Sequence, residues 1–124
     1  MILILESYSK EFVGFYNNGN GYTPFLDSLM LQSLVFNNTY SNGLRSIEAL
    51  PAITASILTL SNTPFITSVY AQNKFNSLAS ILSTQNYSTS FFHGGTRGTM
   101  GFYSFAKRAG FDNYFGLEEY NDLD

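Results

Sequence analysis

Five apolar residues in unbroken succession, Met1-Ile2-Leu3-Ile4-Leu5, run straight into Glu6. A strand with one wet face alternates apolar and polar residues, whereas an unalternating run suits a central strand of a parallel sheet covered on both faces. The run is too short for a membrane span and lacks the basic leader of a signal peptide. It predicts an α/β fold, a mostly parallel sheet with helices on both faces, and it puts Glu6 at the carboxyl end of a strand. In open α/β sheets the ligand crevice lies outside those ends, so Glu6 stands where a functional carboxylate belongs. The plainer reading is a surface acid just past a strand.

The rest of the chain alternates helix and strand signals, as a parallel sheet requires. Residues 9 to 15 suggest a short helix capped by Ser9, and Asn17-Asn18-Gly19-Asn20-Gly21 is turn-rich. Thr23-Pro24 opens a helix of about ten residues, with Thr as cap, Pro at the first helical position, and Phe25, Leu26, Leu29, Met30 and Ser33 on its inner side. Leu34-Val35-Phe36 reads as the next strand. From Leu60 to Gln72 a loop is expected to carry Phe65 and Tyr70 as plugs of the core edge, with contact to a ligand as the alternative. Asn73 to Gln85 is predicted helical, with Phe75, Leu78, Ala79, Ile81 and Leu82 inward, and Asn86 ends it as a left-handed cap. Tyr87 to Phe92 is a strand and Thr99 to Ala109 a helix with Phe102, Phe105 and Ala106 inward, stopped by Gly110. Phe111 to Gly116 makes a short edge strand, and the acidic tail from Leu117 to Asp124 is expected to be solvated.

Composition narrows the function classes. A chain of 124 residues, 44% hydrophobic, holds enough apolar material for one core and reads as one domain over residues 1–124. A net charge of −3 with 12% charged residues excludes a nucleic-acid footprint and a polybasic membrane surface. Without cysteine there is no disulfide framework and no thiolate chemistry, and the single histidine, His93, rules out a self-contained His-rich metal site.

Two polar positions carry chemistry. In Asn42-Gly43-Leu44-Arg45-Ser46-Ile47-Glu48-Ala49-Leu50-Pro51-Ala52-Ile53 a glycine-bearing loop delivers Ser46 to the start of an apolar helix bent by Pro51, with Ala49, Leu50, Ile53, Ile57 and Leu58 as its buried stripe. Unpaired backbone N–H groups and the positive end of the helix dipole would meet an anion beside that hydroxyl, and Arg45 adds a forked cation suited to phosphate or sulfate. Ser46 is the candidate nucleophile; a mere helix cap is the alternative, although Ala49 three places on denies it a capping box. His93-Gly94-Gly95 follows the strand ending at Phe92, which again sets a polar group at a strand terminus where glycines let the chain turn.

The segments Leu3-Ile4-Leu5-Glu6-Ser7, Tyr22-Thr23-Pro24-Phe25-Leu26-Asp27-Ser28-Leu29, Asn42 to Ala52, Phe91-Phe92-His93-Gly94-Gly95, Met100-Gly101-Phe102 and Ala109-Gly110-Phe111-Asp112 occur in that order. Together they resemble the N-terminal part of the extracytoplasmic catalytic domain of the lipoteichoic acid synthase group, in the sulfatase branch of the alkaline phosphatase superfamily. The resemblance implies a partial α/β/α domain of a metal-dependent phosphoryl or sulfuryl transferase or hydrolase. It implies that Glu6 ligates a divalent metal, with Mn, Zn, Mg and Ca all open. It makes Ser46 both a metal ligand and the covalent nucleophile, since a metal lowers the pKa of a bound hydroxyl. His93, with Arg45 beside the nucleophile, would hold an anionic phosphate or sulfate ester, lipid- or glycan-linked.

Where the lipoteichoic members carry an acid two places after this His, then Trp and Arg, this chain has Gly95, Met100 and Phe102, so the resemblance leaves the transferred group open. Sulfatases that use formylglycine need a Cys that is absent here. The resemblance also implies an Asp-His pair and another His from a later part of the domain, together with an upstream membrane anchor. On that ground the chain is expected to be a fragment, inactive alone, of a protein at the extracytoplasmic face of a bacterial membrane. Two other readings stand beside it: a small aromatic- and Asn-rich carbohydrate-binding module, and a purely structural domain.

Overall fold

The computed structural model describes residues 1–120. The chain divides into two compact units, Met1–Tyr40 and Ser41–Asp124.

In the first unit, helix α1 spans Pro24–Met30 behind Thr23, as the Thr-Pro pair predicts, and is seven residues long. The Thr23 hydroxyl donates to Asp27 Oδ1 at 2.9 Å rather than capping the helix backbone. The same carboxylate oxygen accepts the Phe15 N–H at 3.0 Å, tying α1 to the 3₁₀ turn Gly14–Tyr16, which with the turn Lys10–Phe12 stands where a short helix was predicted. Gly14 suits this close approach, because a Cβ there would lie 2.5 Å from Asp27 Oδ2 and push the bridging carboxylate aside. The turn-rich loop turns as predicted, with Asn18 and Gly19 at φ 53° and 84°.

Two predicted strands are absent from this unit. Met1–Leu5 and Leu34–Phe36 carry no strand pairing, and Met1, Leu3 and Leu34 are exposed. An extended segment becomes a strand only when a neighbour takes up its backbone donors and acceptors, and an apolar run by itself supplies no neighbour. The inner side predicted for α1 is likewise open: the helix buries no residue, and Phe25 is 82% exposed.

Among the described residues the second unit carries a small parallel sheet and three α-helices. Helix α2 spans Ser46–Ala55 and runs through Pro51, whose ring is fully buried. The ring removes the N–H that would reach the carbonyl one turn back, and the helix tolerates it so near its start. Its buried residues are Glu48, Leu50, Pro51 and Thr54, so the predicted stripe is turned: Ile53 and Leu58 face outward. Thr54 satisfies its buried hydroxyl on the Leu50 carbonyl at 2.7 Å. Ser56 ends the helix at φ 55°.

Helix α3, Leu78–Ser83, is shorter than predicted because Ser77 starts it late. The Ser77 hydroxyl accepts the Ser80 N–H at 3.0 Å, Ser80 Oγ accepts the Ser77 N–H at 2.8 Å, and the Ser77 hydroxyl also donates to the Ala109 carbonyl. Such reciprocal bonds fix a helix start. Ala79 is buried, whereas Ile81 points outward against expectation. Asn86 is left-handed at φ 60° as the sequence calls for, but it lies two residues beyond Thr84, which caps α3 in right-handed geometry.

Strand β1, Ser90–Phe92, pairs in parallel with β2, Asn113–Phe115, in the register Ser90 with Asn113, Phe91 with Tyr114 and Phe92 with Phe115. Helix α4, Phe102–Arg108, is the crossover between them, and Phe102, Phe105 and Ala106 are buried as predicted. The pairing is pinned at its entrance by Asp112, whose Oδ2 accepts the N–H and hydroxyl of Thr89 at 2.7 and 3.0 Å. Gly110, at φ 85°, lets the chain leave α4 with its Cα against Ser80.

The core cluster comprises Leu50, Phe102, Phe105, Ala106, Ala109 and Tyr114. Around it Phe75 stacks on Phe105 at 5.7 Å, Phe65 meets Phe75 edge-on at 5.5 Å, and Phe91 stacks on Tyr114 at 5.5 Å. Phe65 therefore joins the core edge as predicted, while Tyr70 is exposed. The start of the predicted solvated tail is instead a 3₁₀ turn, Leu117–Glu119, whose acids engage Arg97; residues 121–124 of that tail lie outside the described residues.

Candidate functional site

Ser46 is the first residue of α2, and the N-cap position belongs to Arg45. The reading of Ser46 as a mere cap is thereby corrected. With Arg45 as N-cap, the third helical residue is Glu48, and its carboxylate accepts the Leu44 and Arg45 N–H groups at 2.8 and 3.2 Å. An arginine has no acceptor to return the bond, so only half of a capping box forms. Glu48 is the residue sequence reasoning missed here. The signal was present, since moving the helix start back one place puts an acid at the third position.

Arg45 places its Nε and Nη2 on Glu48 Oε1 at 3.1 and 2.6 Å, with more than half of its side chain still exposed. The guanidinium and then the Leu44 amide hold the Glu48 carboxyl below the usual carboxylate range. A fixed anion at the start of α2 changes what the predicted anion cradle can do. Part of the positive end of the helix and part of the Arg45 charge are already matched by Glu48. What remains is directional, because Ser46 is set at the head of a helix with its neighbours locked.

His93 lies where the sequence places it, directly after β1. Its N–H donates to the Phe115 carbonyl at 2.8 Å, extending the parallel pairing by one bond. Its ring stands edge-on to Phe102 at 4.9 Å, and Nδ1 is 3.3 Å from the Tyr114 hydroxyl. A Cβ at Gly95 would come within 2.6 Å of His93 Cε1 and 3.0 Å of Thr99 Oγ1. The imidazole thus occupies the space that a side chain at position 95 would need, and no acid fits there with the ring so oriented.

The loop after His93 is strapped down. Leu117 N–H donates to the Gly95 carbonyl at 2.9 Å, Arg97 N–H donates to Glu118 at 3.1 Å, and the Arg97 guanidinium pairs with Glu119. That guanidinium keeps the Glu119 carboxyl below its ordinary range.

Ser46 and His93 hang from one cluster. Ile47 and Leu50 of α2 pack against the core that contains Phe102, and the His93 ring rests on Phe102. Glu6 belongs to the other unit, in a turn followed by Ser7 at φ 53°, rather than at the end of a strand. An open cleft of about 400 Å³ bordered by Lys74, Phe75 and Arg108 includes none of the four predicted site residues.

Among the described residues no group of three or more His, Cys, Asp or Glu side chains could hold a metal ion. Glu6 and Ser46 supply hard oxygen donors of the kind that suits Mg, Mn or Ca, but two donors are fewer than such a cation takes from a protein and its substrate. Among the described residues these donors do not by themselves complete a metal site. No helix among the described residues is long and apolar enough to cross a membrane.

The sulfatase family's sequence model matches residues 1–124. The crystal structure of the lipoteichoic acid synthase LtaP from Listeria monocytogenes superposes with a TM-score of 0.74 at 23% identity, over 86% of this chain and 26% of that one. A protein in the alkaline phosphatase superfamily from Vibrio parahaemolyticus gives 0.78 at 29% identity, over 89% of this chain and 27% of that one. The chain thus spans about a quarter of the length of either protein, and its mixed α/β fold is that of alkaline-phosphatase-like domains.

Proposed function

Because the chain belongs to the sulfatase family over residues 1–124, we propose that it is the nucleophile-bearing portion of a longer metal-dependent enzyme that transfers or hydrolyses phosphate or sulfate esters. The family comprises phosphoryl and sulfuryl transferases and hydrolases, and the two similar structures are each roughly three times the length of this chain by the shares matched. The observation that carries the reading is Ser46 at the first position of α2, on a helix anchored to the same core as His93.

In this reading the Ser46 oxygen attacks the phosphorus or sulfur of the ester, its proton passes to solvent, and the bond to the leaving alcohol breaks as that alcohol takes up a proton from solvent. Water or an acceptor alcohol then releases the group from Ser46. Setting the hydroxyl at the first position of a helix contributes by orientation, since the backbone that carries the attacking atom is already ordered. His93 contributes a polar ring at the strand terminus to hold an ester oxygen, and the exposed part of Arg45 attracts the anion. A divalent metal, when bound, would favour the deprotonated Ser46 hydroxyl; we propose Glu6 as its carboxylate ligand, the remaining ligands coming from other parts of the longer protein. An ester linked to a lipid or glycan at the extracytoplasmic face of a bacterial membrane is the substrate class and place that fit the likeness to LtaP.

The test is Ser46→Ala in the longer protein, assayed on a chromogenic phosphodiester with and without added divalent metal. Turnover is expected to fall to background while metal binding, read by calorimetry, weakens. Turnover retained in Ser46→Ala removes Ser46 from its role.

A further inference from the structure

The hydroxyl of Tyr114 reaches the imidazole of His93 across the two-stranded sheet, at 3.3 Å from Nδ1. Nothing about either residue's sequence neighbourhood joins them; they are 21 places apart and meet because Tyr114 pairs with Phe91, two residues before His93. The tyrosine ring is fixed on both sides. It stacks on Phe91 at 5.5 Å and 6°, receives Tyr103 edge-on at 5.2 Å, and is buried. The imidazole is fixed as well, by Phe102 at its side and by Gly95, whose missing side chain leaves room for Cε1.

From this geometry we infer that Tyr114 is a positioning residue: its phenol donates to Nδ1 and so keeps the neutral His93 in the tautomer that carries its proton on Nε2. The inference deepens the substrate-pocket reading of His93 and rests on it for its functional meaning. The direction of the bond follows from chemistry. A phenol oxygen shares its lone pair with the ring, which weakens it as an acceptor and strengthens its O–H as a donor, and an imidazole nitrogen lacking a proton is a good acceptor. Burial, followed by the nearby Glu118 and Glu119 charges, pushes the Tyr114 hydroxyl up from its ordinary range and keeps the donor proton in place. With Nδ1 occupied as an acceptor, the proton of the neutral ring sits on Nε2. His93 then meets an anionic ester oxygen as a fixed N–H donor.

His93 is the chain's only histidine, so its ring nitrogens give one unambiguous pair of signals in the ¹⁵N-labelled chain. Long-range proton–nitrogen correlation at mildly alkaline pH, where an imidazole is neutral, is expected to show Nε2 protonated and Nδ1 bare. Tyr114→Phe, which keeps the stacking ring, is expected to lose that bias and move toward the mixed population of an unconstrained imidazole. Tyr103→Phe leaves the hydroxyl of Tyr114 in place and is expected to retain the bias. A protonated Nδ1 in the unmodified chain, or an unchanged tautomer balance in Tyr114→Phe, overturns the inference. Should Tyr114→Phe fail to fold, the spectrum of the unmodified chain still decides between the two tautomers. The readout needs no turnover, so the inference and the role of Ser46 can fail independently.

Discussion

Helices α1 and α4 are both seven residues long and both carry large apolar side chains at helical spacing, yet α1 buries none of them and α4 buries Phe102, Phe105 and Ala106. The difference lies in the surroundings. Helix α4 is the crossover of a parallel strand pair, and the topology brings it Tyr114, Phe75 and the start of α2. Within its own unit, α1 packs on the 3₁₀ turn Gly14–Tyr16, to which Asp27 bridges, and lines an open apolar depression with Leu34, Val35 and Phe36. Helical periodicity says which face is apolar; a second element decides whether that face is dry.

The largest test of this contrast is a pair of truncations read by urea unfolding with circular dichroism. Phe105→Ala is expected to cost about 3–5 kcal/mol, the range for emptying a buried aromatic site. Phe25→Ala is expected to change stability by less than about 0.5 kcal/mol, as exposed positions do. Equal losses at the two sites would erase the distinction between the helices.

A smaller effect is expected at the start of α3. Ser77→Ala in the second unit removes the α3 cap and leaves the Ala109 carbonyl without its donor, a loss of about 1–2 kcal/mol by the same denaturation experiment. A loss well under that range would mean that α3 is held by packing alone.

The finest test is pH. The carboxyls of Glu48, Asp112 and Glu119 are held low by Arg45, Thr89 and Arg97 respectively. Groups whose folded pKa is depressed add stability that is complete above their unfolded values, 4.5 for Glu and 3.8 for Asp, and that is lost as pH falls below them toward the folded values. The midpoint of urea unfolding should therefore fall as pH is lowered through this window, and Glu48→Gln should flatten part of the slope. An unchanged slope would show that the Glu48 bonds contribute nothing beyond those available in the unfolded chain.

What could be read from residues alone follows the same division. Local chemistry was legible: the Thr23-Pro24 start, the left-handed Asn86, the strand ending before His93, the Gly110 stop and the inward face of α4 all depend on a few neighbouring residues. Pairing was not. Met1–Leu5 has the composition of a central strand, but composition names no partner. Ser46 was legible at a helix start, and it is the first residue of α2; only the alternative of a cap fails, because Arg45 fills the place that the N-cap rule gives to Ser. Tyr114 was illegible as a partner of His93, since only the register of two strands brings them together.

The tight packing of His93 against Gly95 also bears on how such a loop can diverge. A first side chain at position 95 must displace the imidazole, and a His93 turned away would leave a gap that favours some occupant at 95, so the two sites trade fitness as a pair. The order of steps then matters: a lineage that first releases the ring can acquire an acid beside it, whereas one that begins with the acid meets a steric barrier.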